Sequence, residues 1–451
     1  MSLPVDILLV VLKYLTLQDF VAFSQASKHF YEITQLRSVW LDLLNHHVLQ
    51  RSYPIPRLDG RDPTQLRVSE LQSCIIDALR LRRLWTAASP QPLQRRTFTT
   101  QNVDGLCPLT LTTTNDERIY TAQCWDISPA QPLCVARRRV SSFGGLRVNT
   151  DGSYPGVLAL KSHNTVEILG IDFTAGQGFF AVQVLEDVTE TLHVFANSKL
   201  LTKFNDQRLH LRDLQKPHSV MELRNSNFIE QRECLDALIS DVYAVLIRTT
   251  SLEIYSITSD RPISEPLASH AWQWRIDSVS VNYQPSYQNN TIAPINLLVR
   301  YSSLFPWPVN ALHHYVIPRN SHYDAQQDIS PNNLPYETRP ALIQSFASPI
   351  RLFARWDMVL GKYGTALWID SHTEDYFANS VEGQRLAGVL FSISEDEGEK
   401  VDLRELVASS HASTVYDVRE DDGWMRIAVD DEEGKIALGT TTGEITLLEY
   451  I

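Results

Sequence analysis

Two histidine pairs, an acidic run and five cysteines are the residues in this 451-residue chain whose types could do chemistry. The cysteines, Cys74, Cys107, Cys124, Cys134 and Cys234, are odd in number and form no CxxC pair. That argues against a disulfide framework or a zinc ribbon and suits a reducing compartment, cytoplasmic and/or nuclear. His46-His47 follow a helical stretch and read as surface histidines. His313-His314 fall in a strand-like stretch, where neighbours point to opposite faces, so they cannot easily share a metal. Between Glu395 and Glu433 stand 14 acidic and 4 basic residues, gathered in EDEGE, EDD and DDEE. A clustered negative loop can steer a basic partner, and the plainer reading is a solubilising loop. The DDEEG run lacks the regular ligand spacing of a calcium loop. The chain has no GxSxG elbow, HExxH helix, P-loop or strand-linked GxGxxG turn. The expectation is a chain that is not an enzyme by its own residues, with no cofactor and no metal.

With no catalytic cluster in view, the elements themselves carry the information. The first is Leu3 to Leu44, LPVDILLVVLKYLTLQDFVAFSQASKHFYEITQLRSVWLDLL. Pro4 suits a first helical turn, where its missing N–H costs nothing. Leu8, Val11, Leu12 and Leu15 recur at helical spacing, while Ile7, Leu9 and Val10 cover much of the remaining circumference. A helix apolar nearly all round must be buried nearly all round, and a unit this small cannot bury both faces alone. One face should therefore pack on the unit's own short helices and the other on a partner. The apolar run Ile7 to Leu12 is too short to span a bilayer and is bracketed by Asp6 and Lys13.

This stretch resembles an F-box. The matching residues are Leu3-Pro4, Ile7-Leu8, Val11-Leu12, Tyr14-Leu15, Leu17, Asp19-Phe20, Phe23-Ser24, Ser27, Phe30 and Val39-Trp40. The resemblance implies docking on a Skp-type adaptor and, through it, on a cullin–RING ubiquitin ligase. It further implies that Leu3, Pro4, Ile7, Leu8, Val11, Leu12, Leu15, Leu17, Phe20, Val39 and Trp40 form or support the adaptor-facing surface, with Trp40 a candidate anchor.

A turn-forming stretch, Arg51 to Thr64, separates this unit from a predicted helix over Glu70 to Thr86. Ser69 and Gln72 resemble a capping box, and Leu71, Ile75, Ala78 and Leu79 share a face. The helix is either a semi-rigid spacer or a helix packed beneath the next domain. Through Arg96 the chain holds 12 Lys plus Arg against 8 Asp plus Glu, a balance of +4; the total of -13 leaves -17 for the remainder. Such acidity excludes a nucleic-acid footprint for the chain as a whole, and no stretch suits a membrane.

Beyond Arg96 the pattern turns to hairpins. Alternating strands begin at Arg118, Thr165, Arg208, Ser251, His313, Thr365 and Glu444, each preceded by an apolar partner and a polar or Gly turn. The early intervals sit near the roughly 40–45-residue period of WD-repeat blades. The region resembles a WD-repeat-like β-propeller, with Trp125-Asp126 where that family places its WD dipeptide and no Gly-His signature. The expected architecture is therefore multidomain, α then all-β. An F-box occupies 1–45, a helical linker 46–95, and a propeller of about seven blades, within a range of six to eight, 96–451. The stretch Arg96 to Thr100 is suited to supply the outer strand that the last hairpin lacks, closing the ring without an exposed edge. As a whole the resemblance implies the substrate receptor of a Skp–cullin–F-box ligase, the propeller holding a client protein that the sequence does not identify. The alternative is an F-box and propeller scaffold without ubiquitin transfer.

Overall fold

The computed structural model describes residues 4–451 except 59–60, 100–108, 115–116, 174–177, 205–207, 217–218, 225–232, 259–261, 285–291, 302–309, 349–357, 372–382, 392–412, 422 and 441. Leu3, Cys107 and the EDEGE cluster lie outside the described residues.

Helices come first: α1 (Val5–Leu12), α2 (Leu17–Ala26), α3 (Lys28–Thr34), α4 (Arg37–Leu44) and α5 (Val68–Trp85). Side chains set their starts. Thr16 accepts the Asp19 N–H at 3.2 Å and opens α2; Ser27 accepts the Phe30 N–H at 3.2 Å and opens α3. Both hydroxyls satisfy amides that a first helical turn leaves without partners. α5 begins at Val68, ahead of the predicted Glu70. Its cap is the Glu70 carboxylate turning back to accept the Arg67 N–H at 2.8 Å, in place of a Ser69/Gln72 pair. A charged acceptor makes the stronger bond. Among the described residues no helix is long and apolar enough to cross a membrane.

Among the described residues the remainder folds into seven sheets. Each predicted hairpin falls in a different one. In chain order the blades are 109–140, 145–185, 191–224, 234–271, 276–348, 358–419 and 424–449. Four antiparallel strands run outward from the axis in most of them. Blade 1 shows three strands among the described residues, and blade 3 gains a fifth, Ile263–Ser264, paired parallel to Val220–Arg224. That short strand arrives from blade 4 and covers an otherwise open sheet edge. The Thr365 hairpin differs from the rest. It is the inner pair of its blade, Met358–Leu360 with Thr365–Ser371, whereas five others are middle pairs and the Arg118 hairpin stands at one edge of the three strands described for blade 1. Inner and middle hairpins carry the same alternation, so periodicity does not distinguish them.

Closure follows the expectation. Gln94–Thr99 pairs antiparallel with Glu444–Glu449 and becomes the outermost strand of blade 7, with Phe98 opposite Ile445. Arg96 ties the seam. Its guanidinium pairs with Glu449 at 2.7 Å and also donates to the carbonyls of Ile127 and Pro129 in blade 1. Phe98 meets Trp125 of blade 1 with ring centroids 6.0 Å apart. The core lies between facing blades, as where Trp368, Phe346 and Leu298 pack together. In blade 4 a buried carboxylate is matched: Glu253 accepts from Arg248 at 2.7 Å, Tyr255 at 2.7 Å and Ser251 at 2.9 Å.

Because Arg96 joins the first and last blades from a largely buried position, Arg96→Ala strands Glu449. It is expected to destabilise the propeller by about 3 kcal/mol, read as a lower urea midpoint; an unchanged midpoint would mean the seam does not depend on this pair.

Candidate functional site

The helical unit sorts its apolar residues onto two surfaces. Leu8, Leu12, Phe20, Val39 and Trp40 point inward, joined by Ile33, Leu43 and Leu44. Trp40 is held on two sides. Its indole N–H donates to the Thr34 carbonyl at 2.8 Å, and its ring meets Phe20 edge-on at 5.0 Å. Leu15 and Leu17 are half-buried against the same core. His47 is also buried, unlike the surface position read from sequence. Its Nε2 bonds the Leu15 carbonyl at 2.9 Å, and burial pushes its pKa down, so the ring is neutral. His46 stays near the surface, bonded to Gln50 at 3.0 Å.

The outer surface of α1 is different. Pro4, Ile7, Val10, Val11 and Tyr14 are exposed, with Ile7 at 49%, Val10 at 56% and Tyr14 at 76%. No part of the propeller is described against them. Of the eleven residues named from sequence, Pro4, Ile7 and Val11 therefore lie on an open apolar face. Leu8, Leu12, Phe20, Val39 and Trp40 build the wall behind it, Leu15 and Leu17 sit at its border, and Leu3 is outside the described residues. Periodicity placed Leu8 and Val11 on one stripe; packing separates them, because the inward face is set by which neighbours exist.

Behind this face α5 makes a junction that the sequence resolved only in part. Its first half, Leu71, Cys74, Ile75 and Ala78, belongs to the helical core. Its second half, Leu81 and Trp85, belongs to the core of blades 6 and 7, with Tyr416, Trp424 and Tyr450. The Trp85 indole donates to Thr365 Oγ1 at 3.0 Å, and the Tyr416 hydroxyl donates to the Trp85 carbonyl at 3.1 Å. The helix is thus both a spacer and a packed element.

The DDEE turn closes the same junction. Asp431 is buried and accepts the N–H groups of Tyr363 at 2.8 Å and Thr365 at 3.4 Å. Gly361 leaves room for that carboxylate, since a Cβ there would collide with Asp431 Oδ2. Glu433 accepts the Arg57 N–H at 2.6 Å, linking propeller to helical unit, and Glu432 pairs with Lys362 at 3.5 Å. Gly434 holds φ +63° and sits against Leu81, where a Cβ would come within 2.5 Å of Leu81 Cδ1. The acidic turn is therefore spent within the molecule. Loop chemistry seen from sequence alone could not reveal this, because its partners are 66 to 376 residues away.

No group of histidine, cysteine or carboxylate side chains among the described residues could hold a metal. His313 bonds Ser345 at 2.9 Å and His314 bonds Asn296 at 2.9 Å, on opposite faces of their strand; burial pushes their pKa values to about 4 and about 3. Both rings are neutral and engaged.

Comparison with known proteins agrees with the helical unit. The F-box-like family matches residues 1–46. No curated protein matches the chain. Among solved structures, the β-propeller domain of Cps50 (Swd1) from Myceliophteria thermophila overlaps 78% of this chain and 99% of its own, at 11% identity and a TM-score of 0.47. A chain of the Mitotic Checkpoint Complex overlaps 81% and 97%, at 10% identity and 0.41; BamB from Moraxella catarrhalis overlaps 78% and 100%, at 8% identity and 0.37. Overlaps at these scores carry no weight beside the strand pairing itself. The chain is an F-box-like domain joined to an all-β propeller, a protein-interaction scaffold by architecture.

Burial raises the Asp431 pKa from the usual carboxyl value of 3.8 to about 6, the neighbouring Asp430 adding to the rise. The folded state then holds this proton more tightly than the unfolded chain does. Its contribution is most favourable below about 4 and is lost as pH rises through about 6. Asp431→Asn keeps an acceptor oxygen and removes the charge, so it is expected to stabilise the protein by up to about 3 kcal/mol at pH 7.5 and by nothing measurable at pH 4. Urea melts at both values check this; equal effects at the two pH values would show that ionisation of Asp431 is not what matters.

Proposed function

We propose that this protein is the substrate-receptor subunit of a Skp–cullin–F-box ubiquitin ligase. The carrying observation is the open apolar face of α1. Ile7, Val10, Val11 and Tyr14 stand exposed on a helix whose other side is fully committed to its own core. A contiguous apolar face of that kind on a folded domain marks a protein interface. In an F-box-like domain the occupant is a Skp-type adaptor, engaged as a helix-in-groove contact. The propeller then holds a client, and the ligase gains rate from effective concentration, with client lysines kept near an enzyme this chain does not contain. The firm junction at α5 supports the reading, since a receptor must fix the distance between its two partners. A scaffold that binds the adaptor without a cullin is the second reading, favoured by nothing specific in the geometry.

Ile7→Asp combined with Val11→Asp places charge on the open face without touching the core. Co-purification with the adaptor should fall more than about 100-fold, because an unpaired charge would be desolvated on docking, while the melting curve stays that of the parent. Leu8→Asp or Leu12→Asp should instead unfold the helical unit. Full adaptor retention by the Ile7/Val11 variant would refute the docking face, and adaptor capture without any cullin would favour the scaffold.

A further inference from the structure

The two ends of the ring are not equivalent. One end carries the turns between the first and second strands of each blade, counted from the axis. Residues 361–364 and 430–434 are such turns, and α5 packs there. Antiparallel alternation sends two other kinds of connection to the far end: from the second strand to the third, and from the outermost strand of one blade to the innermost strand of the next. The far end is free of the helical unit.

Among the described residues three large aromatic side chains stand exposed in those far-end connections. Phe143 lies between Leu133–Val140 of blade 1 and Gly145–Val148 of blade 2. Trp274, 60% exposed, lies between Ala268–Ala271 of blade 4 and Ile276–Tyr283 of blade 5. Phe204, 52% exposed, follows Lys199–Lys203, the second strand of blade 3. Two of the rings are backed. Phe143 stacks on Tyr120 with centroids 5.8 Å apart and planes at 30°, and Phe204 stacks on His210 at 5.9 Å and 28°. A ring held by a neighbour keeps its orientation and loses little freedom when a ligand covers it.

Among the described residues at this rim carboxylates outnumber cations. Glu186, Asp187, Glu420 and Asp421 are exposed there, Asp421 paired with Arg419, beside the guanidinium groups of Arg275 and Arg208. The sequence beyond Arg96 carries -17 overall, by the counts given above. Aromatic faces attract cations through their quadrupole, and surrounding carboxylates raise the local cation concentration. A phosphorylated or acidic segment would meet repulsion at the same place.

We propose that the rim remote from the F-box-like domain captures a lysine- or arginine-rich segment of a client protein, with cationic side chains over Phe143, Phe204 and Trp274 and carboxylates alongside. This rests on the receptor reading only in naming the segment's owner as a client; the surface chemistry stands by itself.

The test uses the full-length chain purified with its Skp-type adaptor and two fluorescein-labelled probes, a lysine decapeptide and a glutamate decapeptide, followed by anisotropy. The lysine probe should bind and the glutamate probe should not. Trp274→Ala should weaken lysine binding about threefold, and Phe204→Ala with Trp274→Ala about tenfold. Glu186→Lys with Asp187→Lys should weaken it comparably and flatten its salt dependence. All variants should keep the parental melting curve and adaptor. Lysine binding that ignores the aromatic replacements, or preference for the glutamate probe, would overturn the proposal. Normal peptide binding by a chain that fails to hold the adaptor would instead overturn the receptor reading and leave this one standing.

Discussion

The constraint on which the architecture depends is that one helix serves two hydrophobic cores. α5 spends Leu71, Cys74, Ile75 and Ala78 on the helical unit, then Leu81 and Trp85 on blades 6 and 7. Eighteen residues of helix rise about 27 Å at roughly 1.5 Å per residue, so the two cores are held apart by a rod whose ends are both embedded. Embedding both ends removes the freedom that an exposed linker would keep. The polar contacts follow from the apolar ones. Once Leu81 rests on Gly434, the acidic turn lies close enough for Glu433 to reach the Arg57 amide, and Asp431 is left beneath it to order the Gly361–Thr365 turn.

The division of labour between the faces of α1 follows from the same economy of core. The helical unit has interior for one side of that helix only. Leu8 and Leu12 take it, backed by Trp40 and Phe20. Ile7, Val10 and Val11 remain outside because no second layer exists to receive them, and the propeller, fixed at the far end of α5, does not fold back over them. The rigid junction and the open face are two sides of one arrangement.

Much of this was legible in the sequence, and the rest was hidden for identifiable reasons. Alternating hairpins located all seven sheets, because period-two burial is a local property of each strand. The closing strand could be inferred because an unpaired edge is costly wherever it lies. The apolar excess of α1 implied more apolar surface than its own unit could bury, yet not which residue served which face, since Leu8 and Val11 share a helical stripe and differ only in what stands opposite. α5 showed one face to the periodicity and hid the second, because Trp85 finds its hydrogen-bond partners 280 and 331 residues downstream. The acidic turn misled for the same reason. Its charge is local, whereas the amides it satisfies come from blade 6 and from Arg57 of the helical unit.

The seam at Gln94–Thr99 sets an order of events for a chain made from its amino end. This strand emerges from the ribosome directly after α5 and must then wait for Glu444–Glu449, some 345 residues later by their pairing. Until then it is an unpaired strand beside a helix whose lower half, Leu81 and Trp85, is also bare. Contacts this distant in sequence form slowly. The nascent protein should therefore present a finished helical domain long before it has a closed ring, and its period of greatest need for chaperone protection falls just before Glu444–Glu449 emerges.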